Sequence, residues 1–65
     1  MSNTKLNIPE SVKAKHPDLV TLILETKSMD DDERQYWFNI LPIMKDEQVE
    51  KLRNILETEK NKIAQ

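Results

Sequence analysis

The sequence predicts an all-α protein, a compact three-helix bundle with room for a short extra helix at its N-terminal end. Three observations carry this. The 65 residues include no glycine, three prolines fall where helices would start or stop, and apolar residues in the last third recur mostly at steps of three and four. Glycine is the usual residue at positive φ, so its absence removes the best β-hairpin turns, P-loops and dinucleotide-binding loops. Steps of three and four place side chains on one helix face, and the sustained apolar–polar alternation of a strand is missing.

Length allows one domain, residues 9–65, preceded by an arm, residues 1–8, that is either flexible or docked. At this size a single core leaves only about 3 to 5 kcal/mol of net stability. With no cysteine, no disulfide adds to it. The order of the arm depends on whether Leu6 and Ile8 dock, and Pro9 biases Ile8 toward an extended backbone.

Pro9 suits the first turn of a short helix over PESVKAKH, and Pro17 the first turn of a second over PDLVTLILETK. The residue before a proline avoids the α region, so a break at His16 is preferred to one kinked helix. In the second helix Leu19, Val20, Leu22, Ile23 and Leu24 cover much of the circumference, which requires enclosure on more than one side.

The next helix starts at Asp30, with Glu33 at the capping-box position and Asp31 and Asp32 complementing the helix dipole. It runs through Tyr36, Trp37, Phe38, Ile40 and Leu41 to a stop at Pro42. A third start lies near Lys45, where Gln48 is the far member of a capping box and Met44 and Val49 have hydrophobic-staple spacing. Leu52, Ile55, Leu56 and Ile63 continue one apolar stripe. Residues 31–41 and 46–62 are thus expected to form an antiparallel hairpin. The expected core is Leu19, Ile23, Trp37, Leu41, Leu52 and Leu56, with Trp37 as its keystone.

Chemistry is scarce. His16 is the only histidine, so one chain cannot build a multi-histidine metal site, and no serine has an activating motif. The run Asp30-Asp31-Asp32-Glu33 lacks the alternating ligands, glycine turn and distal glutamate of a calcium loop, and reads as a helix cap. No residue is assigned a catalytic, cofactor-binding or metal role, and an enzyme is not expected. The net charge is −2 with both signs interleaved, unlike the footprint of a nucleic-acid binder. A helix-turn-helix would present Asp46 and Glu47 to DNA phosphates, against which Lys13, Lys15, Lys51 and Arg53 would have to converge. No segment has the length and apolarity of a membrane span or a signal peptide.

The run LILETKSMDDDERQYWFNILPIMKDEQVEKLRNILETEK, about residues 22 to 60, resembles a short helical segment of uncharacterised proteins from uncultured small-genome bacteria. The resemblance implies a recurring helical hairpin in a bacterial protein. It carries no assigned activity and no functional residue.

The reading that remains is a cytoplasmic, non-enzymatic protein–protein interaction module, with a second copy of itself as the first partner to test. The alternative is a small regulator that binds and inhibits another macromolecule, a nucleic-acid-associated target being disfavoured. No cofactor, membrane or small-molecule ligand is implied. Three consecutive aromatics point about 100° apart on a helix, so they cannot all face one core. Leu22, Leu24, Tyr36 and Phe38 are therefore the candidate interaction surface, with one of Tyr36 and Phe38 facing outward.

Overall fold

A computed structural model describes the backbone of residues 6–64 and the side chains of residues 6–62. Residues 1–5 of the expected arm and the Ile63 side chain lie outside the described residues. Four α-helices follow in order: α1 (Glu10–Lys15), α2 (Pro17–Glu25), α3 (Asp31–Ile40) and α4 (Asp46–Ala64), with a 3-10 turn, Leu41–Ile43, between α3 and α4. The expected all-α bundle is therefore present, and the extra N-terminal helix is real.

Residues 9 to 27 form two helices rather than one. His16 sits at φ −134°, ψ 57°, outside the helical region, and closes α1 by donating its backbone N–H to the Val12 carbonyl at 2.8 Å. Its own carbonyl accepts the first bonds of α2, from Leu19 and Val20. Pro9 stands one position earlier than expected, as the N-cap of α1, with its carbonyl accepting from Val12 and Lys13.

The two capping boxes are each half made, by opposite halves. At α3 the Asp30 Oδ1 accepts from the Glu33 backbone N–H at 2.9 Å. At α4 the cap residue is Lys45, which has no acceptor, and the bond runs the other way: the Lys45 backbone N–H donates to Gln48 Oε1 at 3.1 Å. Pro42 ends α3 by redirecting it into the 3-10 turn. No described residue has positive φ, so α1, α2 and α3 end without the left-handed residue that glycine commonly supplies.

Packing orders the elements around α2, which touches α1, α3 and α4. The principal helical neighbour of α4 is α2; the expected hairpin of residues 31–41 against 46–62 is a correction, since α3 and α4 pack on α2 and scarcely on each other. Two ion pairs mark the register of that pairing: Arg53 with Asp18, and Lys60 with Glu25 at 3.4 Å. Both join residues 35 positions apart, so α2 and α4 run parallel and in constant register. This is the direction expected when α3 reverses the chain between them.

The core comprises Val12, Leu19, Leu22, Ile23, Met29, Phe38, Leu41, Val49, Leu52 and Leu56. Five of the six expected core residues are buried. The sixth is a correction: Phe38 is fully buried (0% exposed), while Trp37 only flanks the core. The reason lies in the face that α3 turns inward, which is Arg34, Phe38 and Leu41 at steps of four and three. A charged residue heads that stripe because the Arg34 guanidinium serves as the C-cap of α2. Its Nε donates to the Ile23 carbonyl at 3.1 Å, its Nη2 to the Thr26 carbonyl at 2.7 Å, and its Nη1 to Asp31 Oδ1 at 2.7 Å. Arg34 thus supplies what a glycine C-cap would otherwise provide, and it locks the N-terminal turn of α3 against the end of α2.

Leu6 and Ile8 dock on the core, so the described part of the arm is ordered. Between them, Asn7 is bracketed by one side chain of α3. The Asn7 backbone N–H donates to Gln35 Oε1 at 2.7 Å, and Gln35 Nε2 donates back to the Asn7 carbonyl at 2.8 Å and to Asn39 Oδ1 at 2.9 Å. The amide imitates one rung of a β-ladder, which satisfies both backbone groups of Asn7.

Candidate interaction surfaces

The four candidate surface residues separate into two pairs. Leu22 (7% exposed) and Phe38 are buried within the chain, which removes both from any surface. Leu24 and Tyr36 are exposed, at 45% and 55%. The outward aromatic is therefore Tyr36, whose ring meets Trp37 edge-on with centroids 5.3 Å apart and planes at 74°. Trp37 Nε1 is buried without a hydrogen-bond partner, an arrangement that favours a side chain with no polar atom at that position.

Two exposed apolar residues were not on the expected surface: Ile43, at 81%, in the 3-10 turn, and Ile55, at 59%, on α4. Ile55 follows the three- and four-residue steps of the apolar stripe and so reads as core. Yet Val49, Leu52 and Leu56 already fill the face turned toward α2, and Ile55 lies beside them. Only the position of α2, marked by Asp18 and Glu25, distinguishes the two sides of that stripe.

Two of the four candidate cations are held by carboxylates. Arg53 donates through Nε to Asp18 Oδ2 at 2.6 Å and pairs also with Glu50, and Lys13 pairs with Glu10 at 3.6 Å. Two of the four candidate basic residues are thus partly neutralised within the chain. The Arg53 hydrogen bond holds the Asp18 carboxyl below its ordinary value of 3.8, against the smaller opposing effect of burial.

A cleft of about 180 Å³ lies between α1 and the turn that follows α3, lined by Ser11, Lys15, His16, Pro42, Met44 and Asp46 among others. Its volume lies below the roughly 300 to 1,000 Å³ of drug-sized ligand sites and near the about 150 Å³ that holds a benzene ring. His16 lies on its wall, and among the described residues its ring makes no hydrogen bond to Ser11 or to any other side chain. Among the described residues no cluster of three or more His, Asp or Glu side chains could hold a metal, and no helix is long and apolar enough to cross a membrane.

Comparison with known proteins adds no assignment: no family model, curated protein or solved structure matches the chain.

Proposed function

We propose that this chain is a non-enzymatic helical module of the cytoplasm that acts by contact with another protein. The observation that supports the reading is the set of large apolar side chains left outside the core, Leu24, Tyr36, Ile43 and Ile55. Single exposed apolar residues are ordinary on protein surfaces, and four on a chain of this size argue for use.

Site-specific photo-crosslinking in expressing cells tests it. A benzophenone side chain placed in turn at positions 24, 36, 43 and 55 should give at least one discrete covalent adduct, and one at the solvent-facing Glu10 should give none. An adduct of twice the chain mass identifies a second copy. An adduct of another mass identifies a different protein and turns the reading toward the small regulator. No adduct at any of the four positions overturns the proposal.

A further inference from the structure

We propose that α4 is the self-association surface, pairing with α4 of a second copy in antiparallel orientation about a two-fold axis that passes beside Ile55. This rests on reading the chain as an interaction module and names the face and its occupant. The argument starts from position. Ile55 is the middle residue of the 19-residue α4, so an antiparallel pair centred there overlaps along the whole length of both helices, about 28 Å at 1.5 Å per residue. It is also 59% exposed, on the other side of the helix from Arg53 and Lys60, which are committed to α2.

The charges around Ile55 then select the partner. Lys51 and Glu59 stand four residues before and four after it, on the same face, and neither holds an ion pair among the described residues. In an antiparallel pair centred on Ile55, a residue n positions before it in one copy lies level with the residue n positions after it in the other. Lys51 of each chain therefore lies level with Glu59 of its mate, twice, flanking an Ile55–Ile55 contact. A parallel pair would set Lys51 against Lys51 and Glu59 against Glu59. The pattern is thus self-complementary in one orientation and self-repelling in the other, as an isologous interface requires. The next residues outward on this face, Gln48 and Lys62, meet without like-charge conflict. Antiparallel helix dipoles also oppose favourably.

Charge reversal tests the geometry directly, by sedimentation equilibrium with helicity followed by circular dichroism. The parent should show a concentration-dependent mass rising toward the dimer at or below millimolar concentration. Lys51→Glu and Glu59→Lys should each weaken association about tenfold or more, since each replaces two opposite-charge contacts with two like-charge ones. The K51E/E59K double variant should associate as the parent does. Mixing the two single variants should produce a heterodimer although neither associates well alone. Of the two substituted positions Lys51 is exposed and Glu59 half-buried, so helicity should match the parent and report any variant that fails to fold. A parent that remains monomeric at millimolar concentration overturns the inference. A dimer indifferent to both single reversals also overturns it, and leaves the interaction reading standing if crosslinks form at other positions.

Discussion

At the scale of single residues, the decisive assignment is which aromatic lies inside. Phe38 has no polar atom and is fully enclosed. Phe38→Ala should cost about 3 to 5 kcal/mol, comparable to the whole stability of a domain this small, and should abolish a cooperative urea transition. Trp37→Phe should be close to neutral, because the loss of ring area is offset by removal of a buried N–H without a partner, whose burial costs about 1 to 3 kcal/mol. A large destabilisation by Trp37→Phe in the same urea titration would show that Trp37 is the true keystone. Arg34 is the second decisive residue. Arg34→Ala should lower stability by about 1.5 to 3 kcal/mol through loss of charge-assisted bonds to the Ile23 and Thr26 carbonyls. Arg34→Lys should recover little of it, since one ammonium cannot reproduce the three-point fork.

At the scale of elements, the helix starts were legible and the helix pairings were not. Pro17 and Pro42 act through a fixed φ and a missing N–H, and Asp30 through a bond from the Glu33 backbone N–H, so local sequence contains their whole mechanism. The inward face of α3 was misassigned because its stripe begins with Arg34, whose partners Ile23 and Thr26 lie 11 and 8 residues away. The rung between Asn7 and Gln35 spans 28 residues, and nothing in the arm alone announces it. Val12 could have been found as the lone β-branched apolar residue of α1; its full burial depends on contact with α2 and the 3-10 turn. Two tests belong at this scale. Asp30→Ala should cost about 0.5 to 2 kcal/mol through loss of the α3 cap, read from the urea midpoint at unchanged slope. The Asp18–Arg53 clamp predicts a pH dependence. The folded-state pKa of Asp18 lies below its ordinary 3.8, so the stabilisation is fully present above that value and is lost as pH falls through the lower, folded one. Stability plotted against pH below the ordinary carboxylate range should therefore fall more steeply for the parent than for Asp18→Asn, and equal slopes would refute the clamp.

At the scale of the whole molecule, the three-helix expectation needed its fourth helix and its arm to close the core. The perimeter of α2 exceeds what α3 and α4 cover; α1 packs against it, and Leu6 and Ile8 dock on the shared core. Removing residues 1–8 should thus depress the thermal midpoint and its cooperativity together, whereas a melt like the parent's would show the arm to be dispensable. The parallel register of α2 and α4 has a consequence in time. The contacts joining them span 35 residues, and closing a loop of that length costs about 3 kcal/mol of chain entropy before any contact repays it. Docking of α4 therefore falls late in folding, after α1, α2 and the arm's neighbours have formed what local structure they can. During synthesis the delay is longer, because residues 52–60 emerge after the apolar face of α2 has left the ribosome. For that interval the nascent chain carries an uncovered hydrophobic stripe, the kind of surface on which aggregation starts.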